Sequence, residues 1–468
     1  MIEKYYNGVI EQVAGGIGNV EHNSILVRYS NDFSIWDLES VNHYKDQTDI
    51  FFTCHEFSYN KIAEAYEPYL GLIRQMFRKY CSGTLEEFME ECDVYKLQRP
   101  VFESYFEKGF CERTEQILID EVEYEQERMH SSIVTMLQKL SEICPIVIVL
   151  NRFQLASKST MQLTNRLLQT KNKNIGIVLG VNDVQSIPEF AHEEWDAICE
   201  SMDDRNMVYH IGNAGRNMEP DVMDYYSDYE SDDGYRKLNN LVYILDFDQA
   251  NHHLSKIERR IKFDNFTISE KKHYQLLLLQ IMVSVLQRDI AKALESCEDL
   301  EKLQDQEKEG AFYYNFWMAT SYMYLGKLEE AMIYVQKAKE CGEALGDDFL
   351  VFRAELLKAQ NQMSGWCNIF FCAQDIEISD KLIEKLNAYH YKNHLAHIYI
   401  YAYDNKPEIV AKAYRSEAFL IYFSKGVALA KEIGNEQLIS IAYRKNIMIA
   451  STNGEYEVSL LYSIRTYE

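Results

Sequence analysis

Apolar residues fall into short unbroken runs in the first third of the chain and into the three-and-four spacing of amphipathic helices in its second half. Ser24–Tyr29 (SILVRY) and Asp49–Cys54 (DIFFTC) are rich in β-branched and aromatic residues. Pro145–Leu150 (PIVIVL) and Asn174–Leu179 (NIGIVL) are almost continuously apolar. Such runs predict strands buried on both faces, as in a parallel sheet covered by helices. Met207–Ile211 (MVYHI) is a shorter fifth candidate. The segments between have helical periodicity: Ile62–Phe77 sets Leu70, Ile73 and Phe77 on one face. Residues 82–143 read as a helical insertion. Thr84 with Glu87 forms a capping box, Pro100 suits a first helical turn, and Glu112–Ile143 contains no Gly or Pro.

Residues 218–237 change character. Asp221, Asp224, Asp228, Glu230, Asp232 and Asp233 are interleaved with tyrosines without periodicity, so self-repulsion favours an extended linker. From 238 onward strand signals almost vanish, and helices of about 12 to 16 residues follow one another with short breaks. The expected fold is therefore multidomain: an N-terminal α/β domain over 1–217, an acidic linker over 218–237, and an all-α solenoid over 238–468.

The clearest repeat runs from Phe312 to Leu345. Ala319 and Tyr322 lie on a first helix, Gly326-Lys327-Leu328 make the turn, and Ala331 and Ala338 lie on a second. Small residues let the two helices approach, Tyr322 fills the groove beside them, and Gly326 frees the turn. This spacing resembles a tetratricopeptide repeat (TPR). Asp289-Ile290 and Ala293 match it upstream, with Arg288 in place of the turn glycine. Asn453-Gly454-Glu455-Tyr456 keeps the turn with Ser459 where alanine is usual. Two further helices end alike, at Gly346-Asp347 and Gly434-Asn435. The chain stops at Tyr467-Glu468, inside the second helix of the last repeat, so truncation or a missing downstream domain is expected.

The run Ala63–Leu70 after the second strand, the third strand, and the helix Met161–Thr170 together resemble the P-loop ATPase domain of STAND regulators, in which a TPR array commonly follows. That resemblance implies a P-loop NTPase-like domain, and the motifs that carry its chemistry are the ones that depart. A phosphate-binding loop needs glycines for its backbone N–H cradle, a lysine for the terminal phosphates, and Ser or Thr for magnesium. Tyr29–Trp36 occupies that place with neither glycine nor lysine, and Ser30, Asn31 and Asp32 are the vestigial positions, Asp32 setting a negative charge where phosphate would lie. The Gly15-Gly16-Ile17-Gly18 cluster precedes the strand and reads as a flexible connection. At the end of the third strand, where acids would hold magnesium and polarise water, stand Asn151 and Arg152. With both motifs absent the domain is expected to be a pseudo-ATPase without cofactor.

Composition narrows the rest. A chain of 468 residues, 47% hydrophobic and 13% aromatic, should fold into several packed units. Asp and Glu outnumber Lys and Arg 73 to 48, and the net charge of -25 disfavours nucleic acid and anionic membranes. The ten cysteines include no CxxC pair and fit a reducing cytosol. Met1–Val20 is interrupted by Lys4 and Glu11, which argues against a secretion signal, and no membrane span is evident.

Other constellations read as structural. His390, His394 and His397 are spaced to share a helix face, but without an acid signature nearby they are expected to pack with Tyr391 and Tyr399 and not to bind metal. The acids of 221–233 do not fit a calcium loop, and no nucleophile motif occurs. The expected partner surface is the concave side of the array, where Tyr313, Phe316, Thr320 and Met323 would project toward a protein or peptide ligand. The function expected is a non-catalytic, cytoplasmic, bacterial-type signalling scaffold, with an oligomer possible. The alternatives are a nucleotide-operated STAND-type switch, as the sensory part of a transcriptional regulator or diguanylate cyclase, and a peptide-pheromone receptor using the array alone.

Overall fold

The five apolar runs become the five strands of one all-parallel sheet. In the computed structural model they are β1 (Ser24–Tyr29), β2 (Phe51–Glu56), β3 (Ile146–Asn151), β4 (Ile175–Asn182) and β5 (Val208–Ile211), in the order β2-β3-β4-β1-β5. The structure describes residues 2–18, 23–29, 35–45, 47, 49–58, 62–113, 115–182, 187, 191–203, 208–211, 231–263, 267–364, 380–401, 417–452 and 454–467. Two compact units emerge: Met1–Glu112 with Glu123–Ile268, and Arg113–Val122 with Ser269–Glu468.

In the first unit β3 and β4 are buried at every position, as their uniform apolarity requires. The helices are α1 (Ile2–Gly15), α2 (Glu39–Lys45), α3 (Tyr69–Tyr80), α4 (Leu85–Glu91), α5 (Arg99–Lys108), α6 (Val122–Ile143), α7 (Lys158–Thr170), α8 (His192–Asp203), α9 (Asp232–Tyr243) and α10 (Phe247–Phe263). The capping box forms: Glu87 N donates to Thr84 Oγ1 at 3.2 Å and Thr84 N to Glu87 Oε2 at 2.8 Å. Pro100 lies in the first turn of α5. The crossover from β1 to β2 passes β4 and β3, whereas that from β4 to β5 passes β1 the other way. The C-terminal end of β1 is thus a topological switch point, the place where open α/β sheets receive ligands.

The second unit is a succession of helices: α11 (Glu270–Leu286), α12 (Ile290–Leu303), α13 (Gly310–Tyr324), α14 (Leu328–Leu345), α15 (Asp348–Ser364), α16 (Asp380–Ala388), α17 (Lys392–Tyr401), α18 (Glu417–Ile433), α19 (Glu436–Thr452) and α20 (Tyr456–Tyr467). Ala293, Ala319, Ala331 and Ala338 are fully buried, and Tyr322 stacks on Tyr334 at 5.5 Å. One turn chemistry recurs. Asp289 N bonds to Ser284 O, Lys327 N to Tyr322 O, Asp347 N to Gly342 O, Tyr391 N to Leu386 O, Asn435 N to Ala430 O and Glu455 N to Ala450 O. The residue before each donor is left-handed: Arg288, Gly326, Gly346, His390, Gly434 and Gly454. These are Schellman closures, in which orphan carbonyls are satisfied and the chain reverses. Ser459 is buried and hydrogen-bonds Ser451 Oγ at 2.8 Å, so a hydroxyl pair replaces the small alanine contact. No helix among the described residues is long and apolar enough to cross a membrane.

Three expectations need correction. Helix α3 starts at Tyr69 rather than Ile62, because Pro68 suits only a helix start. Residues 113 and 115–118 are not helical although Glu112–Ile143 lacks a breaker: helix begins with a 3₁₀ turn at Ile119–Glu121, and Arg113–Val122 belongs to the second unit. The boundary between units falls after Ile268 rather than at 237. Of the acidic segment, 218–230 lies outside the described residues, while Ser231 caps α9 by accepting from Gly234 N. Asn240 Oδ1 accepts Cys111 N at 3.1 Å and Asp246 Oδ2 accepts Ser159 N at 2.9 Å, bonds that fasten α9 and α10 into the first unit.

Candidate functional site

The switch-point edge is assembled by strand register. Tyr29 pairs with Asn182 and Glu56 with Asn151, so these four residues end their strands along one edge. The fully buried Tyr29 donates its hydroxyl to Asn151 Oδ1 at 2.7 Å. Tyr6 of α1 is also fully buried, and burial followed by Tyr29 and Glu56 raises its phenol well above the usual range. The pair leaves no room on β4: a Cβ at Gly180 would collide with Tyr6 Oη and lie 2.6 Å from Asn151 Oδ1. Arg152 takes a left-handed backbone and pairs with Glu56, Nη1 to Oε1 at 2.9 Å, while Glu56 Oε2 accepts Ile35 N at 3.1 Å. The cation and the anion are both largely buried and satisfy each other, which a low-dielectric setting demands. Among the described residues, Asn151 Nδ2 is buried without a hydrogen-bond partner. Ser30, Asn31 and Asp32 lie outside the described residues.

The four residues expected on the concave face are placed otherwise. Phe316, Thr320 and Met323 are buried in the core of the second unit, and Tyr313 is half-buried against it. Phe316 stacks on Phe312, Thr320 Oγ1 donates to the Phe316 carbonyl, and the Arg353 guanidinium lies 4.4 Å from the Phe316 ring centroid. The cause is the middle position of α13, which neighbours cover on nearly every side, so its aromatic residues serve packing.

The histidine triplet also resolves differently. His390 is not on a helix; it is the left-handed turn residue before α17. His394 packs beside Tyr391 at 5.3 Å as expected, but acids do approach, from Arg113–Val122. Glu115 caps the N-terminus of α17: its carboxylate accepts Asn393 N at 3.2 Å, His394 N at 2.7 Å and His394 Nδ1 at 2.6 Å. Glu121 accepts Asn393 Nδ2 at 2.6 Å, Asn435 Nδ2 at 2.7 Å and His397 Nε2 at 2.9 Å. Asn435 also caps α19 through Leu438 N. Burial pushes the Glu121 carboxyl up, but the hydrogen bonds from His397, Asn435 and Asn393 and the His397 charge outweigh it and hold the carboxyl below its ordinary value. Beside them Arg288 reaches Asp120 at 2.8 Å, and Gln437 donates to the Asp120 carbonyl. These acids lie 279 positions from His394 in the case of Glu115, and no local spacing could have revealed them. Among the described residues no group of three or more His, Cys, Asp or Glu is placed to hold a metal ion.

No family model and no curated protein matches the sequence. A solved structure similar to this chain is the crystal structure of a Signal Transduction ATPase with Numerous Domains (STAND) protein with a tetratricopeptide repeat sensor from Pyrococcus horikoshii, 12% identical, with a match covering 97% of this chain and 82% of that chain at a TM-score of 0.40.

Proposed function

We propose that this chain is a regulatory binding protein without nucleotide hydrolysis, whose helical array receives a protein or peptide partner. One observation carries the non-catalytic half: where magnesium-holding acids would stand at the end of β3, Asn151 is bonded to Tyr29 and Arg152 is neutralised by Glu56. A carboxylate is needed there to hold a metal and orient water, and an arginine repels the metal. The binding half is supported by the array's donor-rich surface at α17 and α19, which already holds two carboxylates.

A thermal-shift and calorimetric titration of the purified chain with ATP, ADP and GTP in magnesium tests this reading. The expected result is no shift at millimolar nucleotide. A ligand present at one hundred times its Kd adds about 2.7 kcal/mol to the folded state, enough to move Tm by several degrees. A saturable shift of that size would overturn the proposal in favour of a nucleotide-operated switch. Asn151 Nδ2, buried and without a partner among the described residues, is the observation that favours that second reading.

A further inference from the structure

The segment Arg113–Val122 is held in the second unit in the way a ligand is held. Among its described residues it has no strand partner and, apart from the 3₁₀ turn at Ile119–Glu121 and Val122 at the start of α6, no regular structure. Its fixation comes from side chains, chiefly the two carboxylates of Glu115 and Glu121, six positions apart, with Ile119 buried between them. The receiving surface offers donors: two backbone N–H groups at the start of α17, the amides of Asn393 and Asn435, and the imidazoles of His394 and His397. Asn393, His394 and Asn435 are themselves buried, so their geometry is set by the array. The donors that meet Glu115 and Glu121 include neither lysine nor arginine, while Arg288 pairs with Asp120 beside them. Hydrogen bonds fixed in direction reward a carboxylate at one place, which is a basis for specificity rather than for non-selective adhesion.

We infer that this surface is a recognition site for an acidic peptide carrying two carboxylates six residues apart, that Arg113–Val122 is its occupant in the resting chain, and that a partner protein presenting the same pattern displaces it. The inference rests on the reading of the array as the partner-binding part. Charge complementarity selects the occupant: Asn393, His394, His397 and Asn435 each donate a side-chain hydrogen bond to a carboxylate oxygen of Glu115 or Glu121, and a neutral or basic segment would leave buried donors unmatched. Covalent attachment gives the internal segment an effective concentration in the millimolar range, so a partner must outcompete it or arrive when it has been released. The chain's net charge of -25 adds general repulsion against an acidic partner, which makes the local match decisive.

The test uses the full chain and a fluorescent synthetic peptide with the sequence of residues 112–123, alongside a version with glutamine at the positions of Glu115 and Glu121. In the E115Q/E121Q chain the internal segment has lost its charges. The acidic peptide is expected to bind this variant at least tenfold more tightly than it binds the unaltered chain, and at least tenfold more tightly than the glutamine peptide does. In the unaltered chain, saturating acidic peptide is expected to raise amide hydrogen exchange in 115–122. Equal affinity for both peptides, or no binding of either, would overturn the inference. Should E115Q/E121Q fail to unfold cooperatively, the exchange experiment decides alone, and unchanged protection of 115–122 counts against it. Nucleotide plays no part in either readout, so failure here leaves the nucleotide titration free to support or refute the non-catalytic reading.

Discussion

Gly180 concentrates the packing argument at the sheet edge. It has no special backbone angle; the constraint is space, since Tyr6 Oη and Asn151 Oδ1 both occupy the volume a Cβ needs. Both neighbours are fully buried, so neither swings aside without disturbing the core. Gly180→Ala should therefore destabilise the first unit by about 1–3 kcal/mol, the usual cost of overpacking. Urea denaturation followed by the signal of that unit measures it, and a change within error would show that the edge is looser than described. The end of the third strand was legible as far as residue type goes: Asn151 and Arg152 carry no carboxylate. What the residues do instead was not legible, because the partners Tyr29 and Glu56 reach them through strand register rather than sequence proximity.

The helical hairpins were readable wherever their devices are local. Gly326, Gly346, Gly434 and Gly454 all take the left-handed turn that glycine advertises, and the alanines at 319, 331 and 338 are buried as their size suggested. Arg288 and His390 adopt the same conformation without the residue type that signals it, held there by the same closing hydrogen bonds. Each such residue bears roughly 1–2 kcal/mol of strain. Glycine relieves it but makes the unfolded chain more flexible, so His390→Gly should stabilise the second unit by up to about 1 kcal/mol. His390 is exposed in a turn and is not among the residues that meet Glu115 or Glu121, which makes it the cleaner test. An unchanged or lower Tm would mean that another interaction of His390 outweighs the strain. The opposite device is Ala331, fully buried between paired helices: Ala331→Leu should cost about 1–3 kcal/mol in the same assay. The concave-face residues were misassigned for a related reason, since periodicity reports that a face is apolar but not which neighbour covers it.

The division of the chain was the least legible feature at the scale of the molecule. The acidic run suggested a boundary by composition, yet α9 and α10 join the first unit through buried Asn240 and Asp246, and Arg113–Val122 leaves it for the second. Such exchanges depend on contacts between distant segments, which carry no periodic trace. They also leave the two units with different acid sensitivities. In the first, burial lowers His130 to about 4 and His253 to about 3, from an ordinary 6.5. Both are depressed, so the unfolded state binds protons first: the stability they contribute is complete above pH 6.5 and declines as pH falls toward the folded values. In the second unit Glu121 is likewise depressed, so its contribution is complete above its ordinary 4.5 and is lost only at lower pH. Acidification from pH 6.5 to 4.5 should therefore weaken the first unit while the Glu121 contribution to the second stays intact. Each buried histidine can add up to about 1.4 kcal/mol per pH unit to the slope. His130 lies edge-on to Tyr66 at 5.5 Å, so a phenyl ring preserves the aromatic contact, and His130→Phe should remove one histidine's share of that slope. Denaturation curves of both chains at intervals across this range decide the matter: parallel pH dependences would mean that His130 is not the group being protonated.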